Sequence, residues 1–377
     1  MTLEEIRKDI DRIDRQLLDL FRQRMDCAKQ VAKIKAEQNL PVLNPAREAE
    51  ILDRVEQEAG EFGGAARVIF STLMEVSRAC QHELIQDGGP LRELFSKAAH
   101  TLPTGGRVAC PGVADSHSHH AASVFFPGQD PVFCPEFRDV FRAVAQDEVE
   151  WGVVPVENST AGSVVEVYDL MLQYHFYLAG AIELPIGHCL AARPGVELED
   201  IKTVYSHPQA LAQCSAFIRS RRLKPIEFSN TAAAAKMVSQ SMERGIAAVC
   251  SEQAARRFGL QILAQNIQND KTNTTRFVLF SKKLIIPPQA DKISLCFTLP
   301  HLTGSLHEVL ARFAAHQLNL TKIESRPIPG KRFEYHFYLD FTGNVADNST
   351  AGLLYALSEE LPGFFFLGNY QEKLCGQ

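Results

Sequence analysis

The sequence predicts a multidomain chain of three segments: an all-α segment over residues 1–88, an α/β segment over 103–283 and a ferredoxin-like βαββαβ segment over 290–372. Three observations carry this expectation. Apolar residues near the N-terminus recur at helical steps of three and four. Between 103 and 283, short β-rich runs alternate with helical stretches. The last segment reads strand, helix, strand, strand, helix, strand.

Each element has its reason. Ile6, Ile10, Ile13, Leu17, Leu20, Cys27, Val31 and Ile34 form one stripe, with Arg24 standing on its seam, so one long helix of about eight turns is expected. Asn44 is a good N-cap and Pro45 suits the first position of a second helix, which runs to about Gly60. A third helix begins near Ala65 and fades by Asp87 to Gly89. In the middle segment, "RVAC", "WGVVPV", "TVYSH", "PIEFS", "GIAAVC" and "RFVLF" read as strands. Between them "VVEVYDLMLQY", "QALAQCSAFIRS" and "TAAAAKMVSQ" read as helices, which argues for a mainly parallel sheet. "KKLIIPPQADK" is a Pro-containing linker to the βαββαβ segment.

The bulk numbers narrow the function. A net charge of -6 argues against a general nucleic-acid or membrane-surface binder. No apolar run approaches the roughly 18 residues of a transmembrane helix. "MTLEEIRKDIDRID" is charged throughout and lacks a signal-peptide core. None of the nine cysteines forms a CxxC pair, and Cys27, Cys80 and Cys214 lie on helical stripes. That pattern suits reduced core thiols and a cytoplasmic location.

In the helical segment the informative cations are Arg7, Arg24, Lys35 and Arg47. Taken singly, each suits a solvated helix face. Arg24 departs from that by interrupting an apolar seam. On the third helix Ser77 and Gln81, at i and i+4, put polar groups on the stripe of Phe70, Met74 and Leu84. Buried polar groups need partners, so a pocket lined by cations and donors is expected, with a small dicarboxylate as its guest. Arg7 and Lys35 lie roughly 42 Å apart on a straight helix and cannot serve one small-molecule site from one chain. If both serve such sites, the helix runs antiparallel to a copy of itself, giving an interlocked homodimer with two composite sites.

The order Arg7, Arg24, Lys35, Arg47-Glu48, Ser77, Gln81 resembles the all-helical chorismate mutases. The resemblance implies that Arg24 and Arg47 bind substrate carboxylates, with Arg7 supplied by the partner. Lys35 and Gln81 would contact the ether oxygen of chorismate. Glu48 and Asn44, the latter standing where some relatives carry Asp, would hold the ring-hydroxyl region, with Ser77 nearby. Such donors suit a unimolecular Claisen rearrangement, where negative charge builds on the ether oxygen.

In the α/β segment, "NTTRFVLFSK" sets Arg276 against a buried strand, where an unpaired charge is costly. Alone it reads as an edge with an exposed arginine. Three further stretches stand where strands give way to loops or helices. They bring Glu157, Asn158, Ser159 and Thr160, then Ser206, His207 and Gln209, and finally Ser116 and Ser118. In open α/β sheets, anions bind at such strand ends and helix N-termini. "TRF" (Thr275, Arg276, Phe277), "VPVENS" and "SHPQ", in this order, resemble prephenate dehydratase. The resemblance implies two lobes like those of periplasmic binding proteins, with the site in their cleft. Arg276 would bind a prephenate carboxylate, and Thr275 would protonate the departing ring hydroxyl. No organic cofactor or metal is expected, although His117, His119 and His120 cluster in "SHSHH". The family's glycine-rich loop is altered here: Asp115 stands for a Gly and His117 for an aromatic.

In the last segment Gly304, Ser305 and Leu306 open a helix, and Glu324, Ser325 and Arg326 end a strand. In this order they resemble the ACT regulatory domain, whose implied effector is L-phenylalanine. Together the segments resemble the bifunctional chorismate mutase/prephenate dehydratases of phenylalanine biosynthesis. The competing expectation is a non-catalytic ligand sensor with a helical dimerisation arm, which would have no use for Lys35, Gln81 and Thr275 together. The expected assembly is the homodimer or a tetramer of two such dimers.

Overall fold

The computed structural model describes residues 2–38, 40–85, 89–102, 105–328 and 330–374, so the expected boundaries at 88 and 103 fall outside the described residues. The chain divides into two compact units, Met1–Lys97 with Asp291–Phe366, and Ala98–Ala290 with Leu367–Gln377. No helix among the described residues is long and apolar enough to cross a membrane.

The chain begins with α1 (Leu3–Gln38), α2 (Pro45–Glu58), α3 (Gly63–Ile85) and α4 (Gly89–Ser96). Helix α1 contains neither Gly nor Pro, and carries Glu4 and Glu5 in its first turn and Lys35 in its last, as the helix dipole favours. Asn44 caps α2 as expected, its side chain accepting from Arg47 N at 3.2 Å, with Pro45 in the first turn. The stripe on α1 does not pack within the chain. Only Ala28 and Ala32 are buried there, and Cys27, expected in a core, is exposed.

The second unit contains β1 (Val108–Pro111), α5 (His117–Phe125), β2 (Val132–Cys134), α6 (Phe137–Ala145), β3 (Trp151–Asn158), β4 (Gly162–Ser163), α7 (Val165–Tyr174) and β5 (Tyr177–Pro185). The chain then crosses to β6 (Cys189–Ala192), β7 (Thr203–Ser206), α8 (Pro208–Gln213), α9 (Ser215–Ser220), β8 (Lys224–Glu227), α10 (Thr231–Gln240), β9 (Ile246–Cys250), α11 (Glu252–Arg257) and β10 (Gln261–Ala264). It returns as β11 (Thr274–Ser281). Two lobes result. One sheet has the order β5-β11-β3-β1-β2, and the other β10-β6-β9-β7-β8. In β9 the residues alternate between two cores, Ala247 and Val249 on one face and Ile246, Ala248 and Cys250 on the other.

The sheets are less parallel than expected. β11 runs antiparallel to both β3 and β5, and β6 antiparallel to both β9 and β10. The cause is the double crossing: strands that enter a lobe from the other lobe run against their neighbours. Gly152 faces Phe280 across the sheet, where a Cβ would lie 2.2 Å from that ring, so only glycine fits.

The remaining elements are β12 (Lys292–Thr298), α12 (Ser305–Ala315), β13 (Leu320–Pro327), β14 (Tyr335–Thr342), α13 (Asn348–Glu360) and β15 (Phe365–Leu374). This is the expected βαββαβ order, with β14 between β12 and β13 and antiparallel to both. In the first unit α3 packs against α12 and α13. Helix α4, not anticipated, is held the same way: Phe95 packs edge-on to Phe366 at 4.8 Å, and Arg92 lies over Tyr355 at 5.1 Å.

Candidate active sites

The first constellation forms where α1 and α2 meet α3. Arg24 reaches inward, donating to Leu73 O at 2.8 Å and to Ser77 Oγ. Lys35 donates to Val42 O at 2.5 Å. Burial lowers both cations from their ordinary values, and Glu48 opposes the shift in each case. Glu48 itself is ion-paired to Arg78. Gln81 donates to Ser77 O at 3.3 Å, and its buried Oε1 has no hydrogen-bond partner among the described residues. The structure therefore gathers Arg24, Lys35, Glu48, Ser77 and Gln81. Arg47 turns to the surface and pairs with Glu50 at 2.6 Å, while Asn44 is occupied as a cap. Arg7 is exposed near the far end of α1, as its spacing required.

The sequence reading missed Arg78, which is buried and links this constellation to an ion cluster. Arg78 meets Glu75 at 2.8 Å and Glu360 at 3.4 Å, and Arg312 meets Glu75 at 2.7 Å and Glu360 at 2.6 Å.

The second constellation lies where the chain crosses between the two lobes. Register sets Thr275 opposite Asn158 and Arg276 opposite Glu157. Asn158 is the organiser. Its Oδ1 accepts from Thr160 N at 3.1 Å, Ala161 N at 2.9 Å and Thr160 Oγ1 at 2.7 Å. Its Nδ2 lies 2.8 Å from Thr275 Oγ1 and 2.7 Å from Asn273 Oδ1. Ser159 braces the loop, its Oγ accepting from Thr274 N at 3.0 Å. Arg276 is buried and engaged from β15: Nε lies 2.5 Å from Glu372, and a second nitrogen donates to Tyr370 OH at 2.7 Å. Phe277, which the motif places beside the substrate, packs instead in the apolar core with Val108, Ala122 and Leu279. Strand alternation and the bulge after Arg276 send it there. His207 caps α8 through its Nδ1, 3.3 Å from Gln209 N, and both residues are exposed.

The altered loop has a physical reading. Asp115 has φ +61°, a left-handed conformation that glycine adopts freely and Asp tolerates. Its carboxylate pairs with Arg257 at 2.6 Å. Ser116 caps α5, accepting from His119 N at 3.2 Å, and Ser118 lies in the same first turn. His117 stands edge-on to His188 with ring centroids 6.0 Å apart, packing as the expected aromatic would. Burial, then His188 and His120, push the His117 imidazole down to about 3, so it is neutral. Among the described residues, no group of three or more His, Cys, Asp or Glu is placed to hold a metal.

The third constellation surrounds a cavity of about 390 Å³ lined by Leu299, His301, Ser305, Leu306, Phe333 and Tyr335, among others. Gly304 has φ +92° at the N-cap of α12, and Ser305 Oγ donates to Pro300 O at 2.9 Å. Glu324, Ser325 and Arg326 do not line this cavity; they lie on β13, which β14 separates from β12.

Comparison with known proteins matches residues 6–82 to the chorismate mutase type II family and residues 108–284 to the prephenate dehydratase family. The bifunctional chorismate mutase/prephenate dehydratase of Aquifex aeolicus is 35% identical over 377 residues, covering 99% of this chain and 98% of that protein. The chain belongs to the bifunctional chorismate mutase/prephenate dehydratase family. Arogenate dehydratase/prephenate dehydratase 2 of Arabidopsis thaliana is 40% identical, covering 70% of this chain and 72% of that protein. The crystal structure of prephenate dehydratase in complex with L-Phe from Arthrobacter aurescens superposes with a TM-score of 0.63 at 31% identity, covering 70% of this chain and 89% of that one. Within this family's dehydratase region, two residues at the site carried no motif signal. Gln213 stands at the end of α8, and His188 at the crossing from β5 to β6; only spatial contact reveals them.

Proposed function

We propose that the first two constellations divide the family's two reactions. Chorismate mutase and prephenate dehydratase activities come with membership of the family. In the helical site Arg24 holds a carboxylate, and Lys35 and Gln81 offer donors to the ether oxygen, where charge develops. Glu48 faces the ring hydroxyl while Arg78 fixes its carboxylate. Arg7 comes from a second copy. The exposed stripe supports this: Ile10, Leu17 and Leu20 are 50%, 58% and 60% exposed on one helix. A second α1 is the natural cover for a surface of that length and periodicity.

At the lobe crossing, the observation that carries the reading is the bond from Asn158 Nδ2 to Thr275 Oγ1. Because that oxygen accepts from Asn158, the hydroxyl proton is free to point into the cleft. As the electron pair of the departing carboxylate enters the ring, CO2 leaves and the C–O bond to the ring hydroxyl breaks. That oxygen departs as water after receiving one proton, which Thr275 presents and solvent replaces. Phenylpyruvate remains.

The third constellation is the effector site of an ACT domain that takes L-phenylalanine. The cavity beside Gly304 offers backbone N–H groups for a carboxylate and an aromatic lining, and β13 of a second chain supplies Glu324 to Arg326. The eight cysteines described are all free thiols, in keeping with a reducing, cytoplasmic setting. An ultraviolet assay of the purified chain tests the whole reading. Chorismate should disappear, phenylpyruvate should appear in alkali, and phenylalanine should suppress the second step. A ligand sensor would do none of these.

A further inference from the structure

The hydrogen bonds that end at Thr275 begin at His188, and their donors all point one way. His188 Nε2 lies 3.0 Å from Gln213 Oε1. Gln213 Nε2 donates to Thr160 Oγ1 at 3.3 Å, and Thr160 Oγ1 donates to Asn158 Oδ1 at 2.7 Å. Asn158 Nδ2 then donates to Thr275 Oγ1 at 2.8 Å. Since Gln213 Oε1 can only accept, His188 must carry its proton on Nε2. We propose that His188 is a positioning residue for the dehydration: its neutral Nε2–H anchors this one-way chain and so keeps the Thr275 proton available to the leaving hydroxyl. The inference rests on the reading of Thr275 as proton donor.

Direction is what His188 controls. If Nε2 were the accepting nitrogen, the Gln213 amide would turn over and present its oxygen to Thr160. The Thr160 hydroxyl would then point to Gln213, and Asn158 would lose its shortest donor. Two backbone N–H groups would still hold the Asn158 oxygen, so the effect is one link rather than collapse of the site. The surroundings keep His188 in this state. The residue is 3% exposed, and burial lowers its pKa. Its Nδ1 has no hydrogen-bond partner among the described residues, and its backbone is fixed by the bond from His188 N to Gln268 Oε1 at 3.1 Å. The neighbouring ring of His117 is neutral as well and offers no charge to draw a second proton.

The test uses the full chain, with mutase activity as an internal check of folding. His188→Leu should lower dehydratase kcat about tenfold, the equivalent of one hydrogen bond, with KM changed less than about twofold. His188→Gln, whose NH2 can still donate to Gln213, should keep most of the turnover. Gln213→Leu breaks the next link, so adding His188→Leu to it should cost little more. Losses that multiply in the double variant, a change confined to KM, or a His188→Gln as impaired as His188→Leu would overturn the proposal. Thr275→Ala separates the two readings. If it retains dehydratase turnover, Thr275 is not the donor. If it abolishes turnover while the His188 variants miss these expectations, only the positioning role fails.

Discussion

Arg276 faces two claims on its guanidinium, one from Glu372 in the same unit and one from the prephenate carboxylate that the sequence anticipates. If the substrate is a true claimant, Glu372 competes with it. Glu372→Gln should then lower the KM for prephenate several-fold, as a charge-assisted rival is removed, with kcat little changed. An unchanged KM together with a lower melting temperature would make Arg276 a structural residue. Legibility at this scale follows from where a residue stands. Asn158 closes one strand and Thr275 opens another, within motifs that sequence order exposes. Gln213 and His188 reach the site from a helix end and a lobe crossing, and nothing in their local pattern points inward. Phe277 shows the reverse: a motif residue whose alternation places it in the core.

At the scale of elements, α1 was legible because 3.6-residue periodicity survives without tertiary context. The same periodicity left its cover undetermined, since a stripe can face its own chain or another. An Arg7→Ala chain mixed with a Lys35→Ala chain, each nearly inactive as a mutase, should therefore recover activity on reassortment, since one of the two sites is then intact. Heterodimers that form without any recovery would contradict the shared site. The docking of α3 on α12 and α13 was not legible, because its partners lie more than two hundred residues away in sequence. It has a consequence for pH. Burial pushes the Glu360 carboxyl up, yet the bond to His82, Arg312 and Arg78 outweigh it and hold it at about 2 instead of 4.5. A carboxyl depressed in the folded state stabilises above its unfolded value and loses that contribution as pH falls towards about 2. Glu75, whose carboxyl is raised by burial, works in the opposite sense. The comparison that isolates Glu360 is with Glu360→Gln: wild type should melt several degrees higher at pH 7, and the gap should close between pH 4.5 and 2. A gap independent of pH would show that the pair adds packing only.

Across the whole molecule, three stretches of differing texture were readable as three segments, and their order named the chemistry. What the sequence did not disclose is that the first segment folds as one unit with Asp291–Phe366, while the chain from Leu367 on joins the middle segment in the other. Composition marks where texture changes, and says nothing of which pieces share a core. If one chain holds two separate catalytic sites, one in each unit, the two activities must separate by mutation. Assaying both activities in Thr275→Ala and in Lys35→Ala tests it most directly. Thr275→Ala should cut dehydratase turnover by about 100-fold or more and leave the mutase within about twofold of wild type, and Lys35→Ala should do the reverse. Loss of both activities from either substitution, in a protein that remains folded, would contradict it.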